Sequence, residues 1–329
     1  MPESTESTSG RRVCAAVLLI SAFGGAAAGA NGAHAVAPGK DGRIAFEAAS
    51  ADDASQDIWT VGPDGSGLTN VTPGTDTPDY HQPSWSPDGK RIAITAITDQ
   101  VAASATVYVL NANGTGLRRV ATSGTDDGTP AWSPNGKLIA FSKCSFVLET
   151  GGCSSSQIFV VRPDGKGLRR ISRPPTTDVS VLDFQPAWSP DGKRIVFTRK
   201  TSFYEFSLWV VPVKGAGLRE IYADGADTEY GPSWSPNGKW IVFVSNADGL
   251  DTVFRINTAG KKRTAVLVDT ENPDEDTTAA GLANPAYSPS GKWIVYSAGS
   301  EIWKMSASGT GSIQLAPDGD FPDWARGGR

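Results

Sequence analysis

One twelve-residue motif recurs five times along the chain and constrains the fold more than any other feature. Its first copy reads P-S-W-S-P-D-G-K-R-I-A-I from Pro83, and the others begin at Pro130, Pro186, Pro232 and Pro285. In each copy an aromatic residue precedes a Pro-x-Gly turn signal, and a run of β-branched and aromatic residues follows the turn. Each copy therefore predicts a strand, a tight turn and a second strand.

A second motif alternates with the first and also has the pattern of a hairpin. A short apolar strand, such as residues 57–61, is followed by a glycine turn that recurs every 45–51 residues. The turn glycines are Gly65, Gly114, Gly165, Gly215, Gly260 and Gly309. Two hairpins per repeat give four strands, which is the size of one blade of a β-propeller.

The two ends of the chain carry the two halves of a sixth copy of the first motif. Residues 42–46 read G-R-I-A-F, which is its second half, and residues 321–324 read F-P-D-W, which is its first half. Pairing these halves completes a sixth blade, so we expect an all-β, six-bladed propeller closed by its C-terminal strand. An open stack of repeats is the alternative, but it would need capping repeats at its ends. The six motif aromatics are Trp85, Trp132, Trp188, Trp234, Tyr287 and Trp324.

Residues 1–35 have the pattern of a secretory signal peptide. Arg11 and Arg12 precede an apolar run at residues 13–30, and the A-x-A sequence at residues 33–35 provides a cleavage site. An uncleaved N-terminal anchor is the alternative, although glycines interrupt the run. We therefore expect a secreted or periplasmic protein of the bacterial cell envelope. Residues 36–329 would form its single domain, with no transmembrane segment after cleavage.

Cys144 and Cys153 are the only cysteines of this expected mature chain. In an exported protein, an even pair so close in sequence predicts a disulfide. A metal-binding or redox-active pair is the alternative, but the spacing is not C-x-x-C and no histidine lies nearby.

The composition disfavours two further classes of function. The formal net charge is −5, so we do not expect a nucleic-acid-binding surface. The chain has only two histidines, His34 and His81, and His34 falls in the signal segment. His81 fits a surface or hydrogen-bonding role, and a metal ligand beside Asp79 is the alternative.

The repeated P-x-W-S-P-D-G-K motif with intervening glycine hairpins resembles the TolB-like, WD-type propeller repeats. The resemblance covers essentially all of residues 36–329. TolB proper carries an α/β domain before its propeller and acts in the Tol–Pal envelope system. Here the signal segment leads directly into the first blade, so the expected protein lacks that domain. Similar propellers precede the catalytic domain of prolyl oligopeptidase-like peptidases, but no G-x-S-x-G nucleophile motif occurs in this sequence.

The resemblance implies that the first strand of each blade lines a central channel and that the residues before it lie at one channel mouth. Five of these six loops carry a carboxylate and four carry an aromatic residue. Such a mouth suits a cation, a basic peptide or an amine; solvated turn residues are the alternative. The candidate ligand-binding residues are Asp79, Tyr80, His81, Gln82, Asp127, Asp183, Phe184, Gln185, Glu229, Tyr230, Asn284, Asp320 and Phe321.

The sequence favours a non-enzymatic, monomeric binding module that recognises a protein, a peptide or an envelope polymer at this mouth. A hydrolase or lyase of extracellular polymers is the main alternative, and a purely structural surface module is another. A cluster of ionisable groups with shifted pKa values would favour the enzyme. No catalytic residue, metal or cofactor is expected. The acidic segment at residues 269–276 offers oxygen ligands for Ca²⁺, but a solvated loop is the favoured interpretation.

Overall fold

The protein is described by a computed structural model that covers most of the repeat region. The described residues are 38–50, 55–74, 78–97, 105–120, 127–147, 152–173, 181–201, 205–223, 229–246, 250–268 and 281–327. These residues form 24 β-strands and no helix, so the predicted all-β class is confirmed. No helix long and apolar enough to cross a membrane occurs among them. The predicted signal segment and the acidic segment at residues 269–276 lie outside the described residues.

The strands are numbered in chain order. The first seven are β1 (Lys40–Ala49), β2 (Gln56–Val61), β3 (Thr69–Asn70), β4 (Asp79–Trp85), β5 (Arg91–Ile97), β6 (Ala105–Asn111) and β7 (Arg118–Arg119). The next eight are β8 (Asp127–Trp132), β9 (Ile139–Val147), β10 (Gly152–Val161), β11 (Arg169–Arg170), β12 (Leu182–Trp188), β13 (Arg194–Lys200), β14 (Phe206–Pro212) and β15 (Arg219–Tyr222). The last nine are β16 (Glu229–Trp234), β17 (Trp240–Ser245), β18 (Thr252–Asn257), β19 (Thr264–Val268), β20 (Leu282–Tyr287), β21 (Trp293–Ala298), β22 (Glu301–Ser306), β23 (Ile313–Ala316) and β24 (Asp320–Gly327).

The strands pair in antiparallel sets of four. Three separate sheets have the orders β4-β5-β6-β7, β16-β17-β18-β19 and β20-β21-β22-β23. The sets β8–β11 and β12–β15 are joined into one eight-stranded sheet by a parallel pairing of Ser156 with Leu182. The remaining sheet has the order β24-β1-β2-β3, so it combines strands from both ends of the described chain.

The Ser-Pro-Asp-Gly sequence makes the turn between the first two strands of a set. The Gly89 amide donates to the Ser86 carbonyl at 2.9 Å, and the Ser86 hydroxyl donates to Asp88 at 2.6 Å. Gly89 has a φ of 67°, which residues with a Cβ rarely adopt. Equivalent bonds recur at residues 133–138 and 189–194. The motif therefore fixes the strand register in the same way in successive sets.

The motif aromatics are buried between neighbouring sets. Trp188 packs in one cluster with Ala131 and Ala140 of the preceding set, and its Nε1 donates to the Ala131 carbonyl at 3.0 Å. The guanidinium of Arg194 lies over the Trp234 ring, 4.7 Å from its centre. The buried aromatics are Trp85, Trp132, Trp188, Trp234, Tyr287 and Trp324. The core is therefore a series of interfaces between successive four-stranded sets.

The ends of the described chain meet at a seam between β1, β4 and β24. β24 runs antiparallel to β1, with Asp320 opposite Glu47. On the same strand, Asp323 Oδ2 accepts a hydrogen bond from the Trp85 amide of β4 at 2.7 Å. Burial raises the pKa of Asp323 to about 8. The seam therefore brings together side chains from strands that lie far apart in sequence.

A disulfide joins Cys144 on β9 to Cys153 on β10, and their Cα atoms are 5.7 Å apart. The disulfide predicted from the spacing of these cysteines is thus confirmed. It links the two central strands of one four-stranded set. Structural disulfides of this kind are typical of oxidising compartments.

Candidate functional site

All the predicted ligand-binding residues lie at the same end of the first strands of their sets. These first strands are β4, β8, β12, β16, β20 and β24, and each contacts the next. Each of them begins at this end and runs towards a motif turn or, in β24, towards the end of the described chain. We call this end the mouth. The structure thus places the sequence-predicted residues together in one region, although it does not expose them equally.

The residue before the motif proline has a left-handed backbone in every first strand. Its φ lies between 51° and 63°, and the strand register shifts at this point. The six residues are Gln82, Thr129, Gln185, Gly231, Asn284 and Phe321. Five of them have a Cβ, and for such residues the left-handed conformation costs roughly 1–3 kcal/mol each. Such strain persists only where neighbouring contacts enforce the conformation, so the mouth is held tightly in place.

Side chains at these positions bond to the next first strand. Gln82 Oε1 accepts the Thr129 amide at 2.8 Å, and Gln185 Oε1 accepts the Gly231 amide at 3.0 Å. Between them, Thr129 Oγ1 accepts the Gln185 amide at 3.3 Å. The carbonyl oxygens of both glutamines are therefore engaged in holding neighbouring sets together.

Three of the predicted mouth carboxylates are completely buried. Asp127, Asp183 and Glu229 are each 0% exposed. Asp183 accepts two hydrogen bonds from the Arg199 guanidinium, at 2.6 and 2.8 Å. Asp127 Oδ1 lies 3.5 Å from the Lys143 ammonium nitrogen. These carboxylates are packed inside the protein, so they are not accessible to a partner that binds at the mouth.

Most of the predicted aromatic residues are covered as well. Tyr80, Tyr230 and Phe321 are buried, and the Tyr230 hydroxyl donates to Asp251 at 3.3 Å. Burial and the nearby Asp251 charge raise the pKa of Tyr230 well above its ordinary value. Only Phe184 is partly exposed among the four. These four residues therefore offer a ligand little aromatic surface for stacking.

The remaining predicted residues converge at the seam. His81 Nδ1 lies 3.2 Å from Glu47 Oε1, and both side chains are nearly buried. Asp320 Oδ1 accepts hydrogen bonds from Ser297 Oγ at 2.5 Å and from Asn284 Nδ2 at 2.7 Å. The seam thus collects one histidine, one amide and two carboxylates, which hydrogen bonds hold in fixed positions.

The charged groups at the seam alter one another's pKa values. Burial raises the pKa of Asp320 to about 7, and the negative charge of Glu47 adds to the increase. Burial alone would lower the pKa of His81, but the charge and hydrogen bond of Glu47 and the charge of Asp79 raise it above its ordinary value. A positive charge placed beside Asp320 would relieve this repulsion.

A cavity of about 170 Å³ opens beside this cluster. Its lining residues are Glu47, Ala48, Ala49, Gln56, Gly299, Ser300, Asp318, Gly319 and Asp320. Among the described residues, the lining has three carboxylates and no lysine or arginine. The cavity, which we call the seam pocket, therefore suits a cationic group. The sequence did not identify Glu47 or Gln56, because neither belongs to a loop before a motif proline. It did not identify Asp318 because this residue lies two positions before Asp320, where the predicted loop residues begin.

The described residues contain no group of three or more histidine, cysteine, aspartate or glutamate side chains arranged to hold a metal ion. Oδ1 of Asp320 already accepts three hydrogen bonds, from Ser297, Asn284 and the Phe321 amide. The residues at the seam therefore fit an organic cation, such as an ammonium or guanidinium group, better than a bare metal ion.

The fold resembles several solved structures at low sequence identity. The structure of TolB from Acinetobacter baumannii matches with a TM-score of 0.67 and 19% identity, over 86% of this chain and 66% of that one. A putative TolB from Agrobacterium tumefaciens matches with a TM-score of 0.60 and 20% identity, over 83% and 88%. Oligogalacturonate lyase from Vibrio parahaemolyticus matches with a TM-score of 0.54 and 12% identity, over 87% and 78%. These likenesses show the fold alone.

The chain thus spans just under two thirds of the Acinetobacter protein. A comparison with curated proteins found no match. At the level of sequence, the family profile described as the TolB beta propeller domain (PD40) matches residues 74–266 and 166–324. These matches cover more than half of the chain and confirm the resemblance predicted from the repeats. The chain therefore belongs to the TolB beta propeller domain family.

Proposed function

We propose that this chain is an exported, monomeric six-bladed propeller that binds a cationic side chain of a protein or peptide at the seam pocket, without catalysing a reaction. The blade count is supported by the 24 described strands, which pair in sets of four. Ring closure is supported by the contacts of β24 with both β20 and β4. A closed ring leaves only short, protected strand edges.

The observation that carries the binding proposal is the seam pocket itself. Glu47, Asp318 and Asp320 line a cavity to which the described part of the chain contributes no lysine or arginine. Ser297, Asn284 and the Phe321 amide all donate to a single oxygen of Asp320, so their bonds leave its second oxygen to the pocket. An incoming ammonium or guanidinium group would supply the charge that the pocket lacks.

Export is supported by two independent features. The N-terminal segment has the pattern of a secretory signal, and the disulfide between Cys144 and Cys153 is typical of an oxidising compartment. A partner would then be a periplasmic, secreted or envelope protein. An envelope polymer that carries amino groups would present the same cation to the pocket.

A polymer-degrading hydrolase or lyase is the second candidate, because the seam holds ionisable groups with shifted pKa values. The Glu47–His81 pair and the raised pKa of Asp320 are the observations that favour it. However, the imidazole and the Glu47 carboxylate are nearly buried and bonded to each other, which leaves little room for a sugar ring. Loss of activity on polyuronides in a His81→Gln variant would support this second candidate.

The binding proposal predicts that N-acetyl-arginine amide binds to the seam pocket. A triple variant, Glu47→Gln/Asp318→Asn/Asp320→Asn, is expected to weaken binding at least about tenfold, because the charge-assisted contacts are lost. Since the pKa of Asp320 is about 7, its ionised fraction rises between pH 6 and pH 8. Affinity for the cation should therefore rise over the same range. Calorimetric titration at both pH values measures these effects.

Two controls make this experiment specific. Glu220→Gln removes an exposed carboxylate at the opposite end of the molecule and should leave binding unchanged. N-acetyl-citrulline amide has nearly the same shape as the arginine probe without its charge and should not bind. Equal binding of both probes, or full binding by the triple variant, would exclude the seam pocket as a cation site.

A further inference from the structure

The turns between the third and fourth strands of the sets lie at the end of the molecule opposite the mouth. Because each first strand begins at the mouth and neighbouring strands are antiparallel, the third strands run away from the mouth and turn at the far end. We define these rim turns, with the first residues that follow them, as residues 62–70, 112–119, 162–170, 212–220, 257–264 and 307–313.

Exposed apolar side chains are concentrated in the rim turns. Leu68, Leu117, Leu168 and Ile313 are 46%, 42%, 41% and 49% exposed. Among the described residues, only one other large apolar side chain is exposed to this degree, Leu250, and it lies in a loop at the mouth end. Isolated exposed leucines need no explanation, but Leu68, Leu117 and Leu168 occupy equivalent positions in three consecutive rim turns, and Ile313 lies one position later in a fourth turn.

The rim turns are also strongly basic in a chain whose net charge is negative. They contain eleven lysines and arginines and only three carboxylates, whereas the whole chain has a net charge of −5. All eleven cations belong to the four consecutive turns between residues 112 and 264. Leu117 and Leu168 lie in the same four turns. The positive charge and the exposed leucines therefore coincide on one arc of the rim.

Hydrogen bonds between turns make this arc continuous. Arg118 Nη2 donates to the Pro163 carbonyl at 2.6 Å, and Arg169 Nη1 donates to the Val213 carbonyl at 2.7 Å. In the same way, Arg219 bonds to the next turn, donating to a carbonyl at 3.0 Å. These arginines hold successive turns side by side. Other cations of the arc, including Lys166, Lys214 and Lys261, are exposed to solvent.

We infer that this basic arc, with Leu117 and Leu168 at its surface, docks the protein onto a membrane that contains anionic phospholipid. Lysine and arginine side chains are attracted to anionic headgroups, and leucines between them enter the interfacial layer. A soluble polyanion would use the charges but would offer the leucines no apolar environment. In this orientation the mouth faces away from the membrane. The inference does not depend on the proposed function of the seam pocket.

Vesicle co-sedimentation tests this inference with the chain from residue 36 onward, which contains every described strand. The protein is expected to bind vesicles of phosphatidylcholine with about one third phosphatidylglycerol, and not vesicles of phosphatidylcholine alone. A Lys166→Glu/Lys214→Glu/Lys261→Glu variant should bind at least about tenfold more weakly. A Leu117→Ser/Leu168→Ser variant should bind several-fold more weakly even at constant charge.

Leu250→Ser is the matched control, because this leucine has the same exposure but lies at the opposite end; its binding should equal that of the parent. Unchanged melting curves show that the variants are folded. Absence of binding to the anionic vesicles would overturn the inference. So would equal binding by the leucine variant together with tight binding to heparin, because that result would identify a polyanion site.

Discussion

A chain that ends at Gly319 is expected to lose its cooperative unfolding transition. The truncation removes β24, and with it Trp324, which packs against Ile44 and Phe46 of β1. The deletion also removes the Asp323 carboxylate that accepts the Trp85 amide of β4. Loss of one buried tryptophan costs about 3–5 kcal/mol. The free energy of unfolding of a domain is only about 5–15 kcal/mol. Exposure of the β1 edge should therefore remove most of the stability that remains after the tryptophan is lost.

Urea unfolding followed by near-ultraviolet circular dichroism measures this effect. A chain that ends at Gly327 keeps all of β24 and serves as the control; it should unfold as the parent does. Addition of a synthetic peptide of residues 318–329 to the truncated protein should restore part of the transition. If the chain ending at Gly319 kept the parental melting temperature within a degree or two, β24 would not close the ring.

Replacement of Arg199 by methionine is expected to destabilise the protein by about 3–5 kcal/mol, because it leaves the Asp183 carboxylate buried without its partner. Asp183 and Arg199 are both 0% exposed, and the Ser172 hydroxyl donates to the same carboxylate at 2.5 Å. The double variant Asp183→Leu/Arg199→Met removes both charges and keeps apolar volume. It should recover most of the lost stability, since desolvating the pair costs about as much as its attraction contributes.

Chemical denaturation of the single and double variants measures both effects. The matched control is Arg162→Met, whose partner Asp164 lies at 3.2 Å but whose ion pair is about half exposed. That substitution should cost less than about 1 kcal/mol. A loss of less than about 1 kcal/mol in Arg199→Met would show that the buried Asp183 carboxylate does not depend on Arg199. A double variant less stable than the single would show that the attraction of the pair exceeds its desolvation cost.

The fold could be predicted because the turn motif of each repeat determines the structure around it through local hydrogen bonds. The Ser-Pro-Asp-Gly turn sets the register by bonds within six residues, so the strands around it follow from local sequence. The matching half-motifs at residues 42–46 and 321–324 indicated that β1 and β24 would pair, and they do. The disulfide was predicted from two cysteines close together in the sequence, and the structure places them on the paired strands β9 and β10.

The site could be predicted only in part. The sequence placed Asp183 and Asp320 at the same end of the first strands, but it could not show that one lies in the wall and the other at the pocket. The difference follows from their positions, because Asp183 lies three residues before its motif proline and Asp320 only two, and successive residues of a strand face opposite sides. Glu47 was missed because it lies on β1 and meets Asp320 only across the seam. Asp318 was missed because it precedes the loop residues that the sequence analysis considered.

The most direct test of cation binding is the pKa of the Asp320 carboxyl, measured by ¹³C NMR with and without N-acetyl-arginine amide. In the free protein we expect a value of about 7. A bound guanidinium group stabilises the ionised carboxylate, so the pKa should fall by about one unit or more, and N-acetyl-citrulline amide should leave it unchanged. A pKa of Asp320 that is the same in the free protein and in saturating arginine probe would contradict the proposal.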